Sequence, residues 1–415
     1  MHPFTYLFLA ALTAGVGLQW WLLQRQQRYV AAHRDRVPVS FADRISPDDH
    51  RKAADYTLAK IRIARWDILL DAVVLLGWTL GGGLSWLFRV WQPWGLSPPV
   101  TGALFILSVF LINGLITLPL SVWRTFGVEA RFGFNRTTVK RFITDLLLQT
   151  GLAAVLGGPL LWLLLWLMDH AGTLWWLWAW AVWMGFSLFM LWLFPVVIAP
   201  LFNKFTPLSD APLRDRIQRL LERNGFHAKG VFVMDGSRRS GHGNAYFTGL
   251  GRNKRIVFYD TLLEGLTPEE VEAVLAHELG HYKHHHIRQQ LFLTAFLSLL
   301  GLALLGWLAQ QPWFYNGLGV SEMNNALALI LFMFVTPVFT RFFEPVMAWL
   351  SRRHEFEADD FAASQVNAES LVHALVKLYK DNASTLTPDP LYAGFYYSHP
   401  PAAVRIAHLS AKMNA

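Results

Sequence analysis

The chain has 415 residues, 53% of them hydrophobic, with 19 tryptophans and no cysteine. Without cysteine there are no disulfides and no thiolate metal ligands, so any bound metal is left to His, Asp or Glu. The net charge of +7 follows from the charge bias of the loops, and no nucleic-acid partner is needed to explain it.

Apolar runs of about 20 residues recur, the length needed to cross a bilayer. In chain order, seven are read: Phe4 to Leu23, Ile68 to Phe88, Val100 to Val122, Leu146 to Met168, Leu174 to Phe194, Leu291 to Leu308, and Ala326 to about Phe343. No lysine or arginine precedes the first run, and it is longer than a signal-peptide core, so it is expected to stay as an anchor. Ten Lys/Arg from Arg25 to Arg65 separate the first two spans, and five (Arg124, Arg131, Arg136, Lys140, Arg141) separate the third and fourth. Between spans two and three there is only Arg89. The positive-inside rule then puts the N-terminus outside and the C-terminus in the cytoplasm. Asp71, Asp145, Arg341 and Glu344 are ionisable groups in or beside spans, costly in lipid and expected to face protein or water. Asp145 is read as snorkelling from a span end.

From Pro207 the chain changes character. Leu213 to Arg223 places leucines at helical spacing, and Gly225 is a C-cap glycine. Gly230 to Met234, Asn244 to Gly249 and Arg255 to Tyr259 read as short strands divided by Gly-, Ser- and Asn-rich turns. Thr267-Pro268-Glu269-Glu270 then offers an N-cap, a first-turn proline and a capping-box glutamate. Val271, Val274, Leu275 and Leu279 recur at helical spacing within that helix.

This helix carries His277-Glu278-Leu279-Gly280-His281, an H-E-x-x-H pentapeptide. Positions i and i+4 share a helix face, so His277 and His281 can grip one metal, with Glu278 placed to hold the attacking water. A surface helix with two histidines is the plain alternative; the capping box and apolar stripe favour zinc. The following His284-His285-His286 is read as a solvated face or as interfacial histidines beside the membrane. A catalytic zinc needs one more protein ligand. In Arg352-Arg353-His354-Glu355-Phe356-Glu357-Ala358-Asp359, Glu355 and Asp359 are i and i+4, and Glu357 points elsewhere. Either Glu355 ligates, with Asp359 bonded to a ligating histidine, or the segment is a charged surface helix of Arg–Glu pairs. The last span runs on into Trp349 to Ser364 without a breaker, and a further helix is expected near Glu369 to Lys380. The tail Ala411 to Ala415 has no lipidation or retention signal. With the compact length, this points to a bacterial inner membrane rather than the endoplasmic reticulum.

The chain is similar to the type I CAAX prenyl endopeptidases, a family of integral-membrane zinc metalloproteases. Arg131-Phe132-Gly133-Phe134-Asn135-Arg136-Thr137-Thr138 resembles the family's N-terminal signature. Asn244-Ala245-Tyr246-Phe247 and Asn253-Lys254-Arg255-Ile256-Val257 resemble its edge-strand region, and Ser351 to Ala362 and Ser398-His399-Pro400-Pro401 complete the set with the pentapeptide. The resemblance implies an α-helical integral membrane protein, with seven transmembrane helices around a water-filled chamber and a small cytoplasmic α+β, zincin-like module. It implies one Zn2+ per chain on His277, His281 and Glu355, with Glu278 as general base and Asp359 as the acid of the second motif. His399 and Arg405 match positions for the substrate carbonyl or oxyanion, and Asn244 and Ala245 match the strand edge along which a peptide lies. The implied reaction is cleavage near the C-terminus of CAAX-type peptide or protein substrates, prenylated ones included, at the bilayer.

The expected organisation is a membrane domain over 1–200 with five spans, a catalytic module over 201–290, two spans over 291–350, and a C-terminal segment over 351–415 completing the zinc site. Three rival readings stand beside this. One is a broad membrane-protein quality-control protease with no prenyl requirement. Another is a transporter or scaffold with a vestigial metal site, which the full set of ligands and base argues against. The last is an intramembrane protease, whose motif would lie within an apolar span; Glu269, Glu270, Glu272 and Lys283 make this helix too charged.

Overall fold

The computed structural model describes residues 2–226, 228–248 and 254–413. Prolines at first turns, where a missing N–H costs nothing, open several of the long helices. They open α1 (Pro3–Ala32), α2 (Pro47–Trp78, capped by Ser46) and α4 (Pro98–Val122). Between α2 and α3 (Gly83–Trp91) the apolar run read as one span is broken, and the two pieces bend by 55°. The triple glycine Gly81-Gly82-Gly83 is the cause. Gly82 has φ 76°, and a Cβ on Gly81 would lie 2.7 Å from the Gly77 carbonyl oxygen.

Helix α4 continues through a π-helical turn, Trp123–Glu129. Helices α5 (Val139–Leu152) and α6 (Gly158–His170) join through another, as do α7 (Trp175–Leu193) and α8 (Ala199–Phe202). Pro195 lies in the last of these turns, where the lost N–H favours a widened turn over a straight helix.

A four-stranded sheet follows, in the order β1-β2-β4-β3. Strands β1 (Phe205–Pro207), β2 (Gly230–Met234), β3 (Ala245–Thr248) and β4 (Arg255–Tyr259) are laid down with α9 (Ala211–Arg223) after β1. The turn glycine Gly225 takes φ 64° as its C-cap reading requires. Strand β3 pairs only with β4, antiparallel, and so forms one edge of the sheet among the described residues. Gly249 and Asn253, from the edge-strand region, lie outside the described residues.

Helices α10 (Asp260–Gly265) and α11 (Pro268–Lys283) come next. The capping box forms as read, with Thr267 Oγ1 accepting from Glu270 N and Glu270 Oε2 accepting from Thr267 N at 2.8 Å. Then α12 (His286–Leu308), α13 (Pro312–Gly317), α14 (Asn325–Thr340), α15 (Glu344–Gln365), α16 (Ala368–Asp381), α17 (Pro390–Tyr396) and α18 (Ala402–Met413) complete the chain. Only a 3-10 turn, Arg341–Phe343, divides α14 from α15, so the last span does run on into the segment that carries Glu355.

Among the described residues, six helices are long and apolar enough to cross a membrane, and the bent α2–α3 pair makes up to seven. Their core includes Phe8, Phe105, Ile106, Leu165, Phe314 and Tyr315. Large side chains such as Trp86, Trp178, Phe292 and Trp307 are left exposed on the outside, as a lipid-facing surface requires. A second core, with Ile217, Leu220, Phe258, Val271, Leu275 and Leu371, joins the sheet to α9, α11 and α16.

Cavities open among the spans. One of about 520 Å³ is lined by Asp67, Asp71, Asn113 and Arg341 among apolar groups. Another, about 1610 Å³, is lined mostly by leucines and aromatics of α4 to α7, α12 and α14. Asp145 does not snorkel: Arg239, from the loop before β3, donates to both its oxygens at 2.8 and 2.9 Å. A guanidinium fork delivered to the span end stabilises the carboxylate better than a reach to water would.

Candidate active site

Helices α11 and α15 press against each other through Gly280. A Cβ there would lie 2.8 Å from Ala358 Cα, so only glycine allows the backbones to meet this closely. The close approach sets His277 and His281 of α11 against Glu355 of α15. His277 Nε2 lies 3.4 Å from Glu355 Oε2, and His281 Nε2 lies 3.3 Å from Glu355 Oε1. One donor atom from each residue falls within 4.8 Å of the others.

The donor set fits a metal on its own chemistry. Donors around a tetrahedral ion with bonds of about 2.0–2.1 Å lie about 3.3–3.4 Å apart, and each histidine Nε2 stands at that distance from one Glu355 oxygen, His277 from Oε2 and His281 from Oε1. Glu355 Oε2 is buried with no hydrogen-bond partner, with Arg405 Nη1 at 3.8 Å and His277 Nε2 at 3.4 Å as its nearest charged neighbours, so its lone pairs are left for a metal. Burial and the Arg405 charge oppose protonation of His277, yet Asp359 and Glu355 outweigh them and raise its pKa to about 9. The site therefore holds a positive charge strongly, as a proton on His277 or as a metal in its place.

Each histidine is oriented from behind. His277 Nδ1 lies 2.8 Å from Asp359 Oδ1, and Asp359 is fully buried. Arg405 of α18 donates through Nε at 2.9 Å to Asp359 Oδ2 and through Nη2 at 2.5 Å to Oδ1. Arg405 was expected, by resemblance, at a substrate carbonyl or oxyanion. In the structure it is 5% exposed with its fork spent on Asp359, and Nη1 lies 3.8 Å from Glu355 Oε2. His399 instead has an open side chain, 61% exposed, with Nε2 3.3 Å from Glu355 Oε1. Its loop is held by Arg352 Nη1, which donates to the Tyr397 carbonyl at 2.7 Å.

Glu278 lies on α11 beside the same groups. Burial raises its pKa above the usual carboxylate range, while the charges of His277, His281 and Arg405 pull it down and Glu355 adds to the rise. Asn244 and Ala245 stand at the start of β3, which packs against α11. Asn244 accepts from Tyr259 N at 2.9 Å.

In His284-His285-His286, the first two are exposed as read and the third needs correction. His286 is 5% exposed and turned inward, its Nδ1 3.0 Å from His281 Nδ1. Glu357 is not idle either, with Oε2 3.0 Å from His286 Nε2. Sequence periodicity missed both because the contact crosses a helix end, where spacing rules stop applying. Tyr56, Glu129 and His242, which meet near the start of β3, were missed because three distant segments supply them.

Residues 26–204 match the family model described as the CAAX prenyl protease N-terminal, five membrane helices, and 207–413 match peptidase family M48. The chain is 34% identical to the CAAX prenyl protease 1 homolog of Arabidopsis thaliana, over 89% of each sequence. It is 37% identical to CAAX prenyl protease 1 of Saccharomyces cerevisiae, over 72% of this chain and 69% of that one. The crystal structure of S. mikatae Ste24p superposes with a TM-score of 0.90 at 31% identity, covering 99% of both chains. A membrane half and a peptidase half are thus both matched, around a His-His-Glu group able to hold a metal; the chain belongs to the M48 metallopeptidases of CAAX prenyl protease type and is a multi-pass membrane enzyme acting on peptide or protein substrates.

Proposed function

We propose that the chain is a zinc endopeptidase that cuts near the C-terminus of prenylated CAAX-type substrates, with its site on the cytoplasmic side of the membrane. The observation that carries the reading is the His277–His281–Glu355 group with its orphaned Glu355 oxygen, set on the helix that also bears Glu278. The S. cerevisiae and A. thaliana relatives are CAAX prenyl protease 1 and its homolog, which supports the substrate class. The ten Lys/Arg between Arg25 and Arg65 support the side.

His277 Nε2, His281 Nε2 and a Glu355 oxygen would hold one Zn2+ per chain. When bound, zinc supplies a Lewis acid that polarises the scissile carbonyl and acidifies a water. Glu278 takes one proton from the attacking water as its oxygen bonds the carbonyl carbon. The same carboxyl then passes that proton to the amide nitrogen as the C–N bond breaks, leaving an acid and an amine. His399, the exposed donor of the site, steadies the carbonyl oxygen as it gains charge. Asp359, clamped by Arg405, fixes His277 with its proton on Nδ1. The peptide adds as a strand along β3, starting at Asn244 and Ala245, so that its backbone is recognised and its side chains are tolerated.

The test is cleavage of a farnesylated CAAX peptide beside its unmodified twin, with and without chelator, by the native chain and Glu278→Gln. Expected is chelator-sensitive cleavage that prefers the farnesylated peptide, lowered about 10²–10⁴-fold in Glu278→Gln with zinc still bound. Full proteolysis by zinc-loaded Glu278→Gln would remove Glu278 as the base. Equal cleavage of both peptides would remove the prenyl requirement.

A further inference from the structure

The first turn of α12 lies directly behind the metal-binding face of α11. His285 takes φ 60°, a left-handed conformation that is strained for a residue with a Cβ. That turn reverses the chain so that His286, five residues past His281, points back at it. His286 Nδ1 lies 3.0 Å from His281 Nδ1, and His286 Nε2 lies 3.0 Å from Glu357 Oε2. The ring of His354 stacks on His286 with centroids 4.0 Å apart and planes 11° from parallel. Glu357 is itself fixed, its Oε1 accepting from Arg353 Nε at 3.1 Å.

Proton counting gives this chain of groups a direction. Two facing Nδ1 atoms at hydrogen-bond distance share one proton, because two lone pairs repel and two N–H groups collide. A ligating His281 must keep the lone pair of Nε2, the atom that faces Glu355, so its proton sits on Nδ1. His286 Nδ1 is then the acceptor, and the proton of neutral His286 sits on Nε2, where Glu357 accepts it. The opposite arrangement puts a proton on His281 Nε2 and abolishes its ligand capacity. A carboxylate at the far end, held by Arg353, selects the ligating tautomer.

We propose that His286 and Glu357 are positioning residues that hold His281 in its metal-binding tautomer, as Asp359 and Arg405 do for His277. Stacking on His354 fixes the plane of the His286 ring, and the His285 turn fixes its position. This rests on the reading of His277, His281 and Glu355 as ligands. Removing a partner of this kind weakens metal binding about 10–100-fold without removing a donor.

The experiment measures the zinc dissociation constant of the purified full-length protein by chelator competition. The variants are Glu357→Gln, His286→Ala, His286→Gln, the Glu357→Gln/His286→Ala pair, and Glu355→Gln. Expected is a 10–100-fold weaker constant for Glu357→Gln and for His286→Ala, with one zinc still bound at saturation. His286→Gln, whose amide oxygen can accept from His281, recovers part of the loss. Because Glu357 acts through His286, the double variant is no weaker than His286→Ala alone. Constants within twofold of native for both single variants, or additive losses in the pair, overturn the proposal. If Glu357→Gln abolishes stoichiometric binding while Glu355→Gln keeps it, the ligand reading itself fails, and that outcome is distinct. The melting temperature of the metal-free variants separates a tautomer effect, which leaves it unchanged, from loss of fold.

Discussion

His277 sets the pH behaviour of the metal site. Its pKa stands at about 9 in the metal-free protein, because Asp359 and Glu355 outweigh burial and Arg405. The group is raised, so the proton is held throughout the range below that pKa and given up as the pH climbs through about 9. Metal and proton compete for Nε2. Metal uptake at pH 7 therefore releases a proton, and apparent affinity rises about tenfold per pH unit until it levels off near pH 9. Zinc titrations at several pH values in weakly buffered solution check this; uptake without proton release would mean His277 is already neutral and its partners are not acting as described. From the i, i+4 spacing of Glu355 and Asp359 the sequence offered a bond from Asp359 to one of the two histidines beside the alternative of a plain charged helix, and the structure sets Asp359 2.8 Å from His277 Nδ1. Arg405 as the clamp on Asp359 was not legible, since no spacing links α18 to α15 and only the folded contact shows Nε and Nη2 both on the Asp359 carboxylate.

At the scale of elements, the site depends on one helix pair. Gly280 lies inside the pentapeptide, at a position the ligand pattern leaves free, and its role is steric. A methyl group there would meet Ala358 at 2.8 Å from Cα and 3.0 Å from the carbonyl oxygen. Backbone cannot yield as a side-chain tip can, so Gly280→Ala forces α15 away from α11 and carries Glu355 off the two histidines. The expected cost is about 1–3 kcal/mol of stability, with a larger fractional loss of zinc affinity than of fold. Thermal melting with and without zinc checks it: a native-like shift of the melting temperature by zinc would show that the helices tolerate the methyl. Much at this scale could be read ahead. The capping box of α11, the bounds of β2 and β4, and the continuity of the last span into α15 follow from local rules, and all appear as read. The break at Gly81-Gly82-Gly83 was hidden, because hydropathy averages over a window and ignores backbone angles. His286 was hidden because a left-handed residue between two helices resets the periodicity on which the reading relied.

For the whole molecule, the question is how the sheet-bearing module keeps its register on a bundle of spans. The answer lies in the segment Arg131 to Thr138, read first only as a family-like signature. Its backbone zips to the loop that feeds β3: Gly241 N donates to the Phe134 carbonyl at 2.9 Å, and Arg136 N to the Arg239 carbonyl at 3.1 Å. His242 stacks on Phe134 with centroids 4.2 Å apart, and its Nε2 lies 3.4 Å from Glu129, which also accepts from Tyr56. Asn382, beyond α16, accepts from Gly243 N at 3.0 Å, and the Arg239–Asp145 fork ties the same loop to α5. Every one of these contacts lies within six residues of β3 along the chain and none touches His277, His281 or Glu355. The junction therefore sets the edge strand without setting the metal. Arg239→Ala removes the charged, two-bond contact with Asp145, worth about 1.5–3 kcal/mol locally, together with the bond to Asn203 Oδ1, and part of that loss is felt as a looser strand. The expected result is a KM for peptide raised about five- to tenfold, with kcat changed less than twofold and zinc affinity unchanged. Steady-state kinetics with a zinc competition measurement on the same preparation decide it. A matched fall in kcat with zinc loss would make the junction a general support of the fold, while a selective rise in KM would show that the membrane domain holds the peptide-binding edge in place.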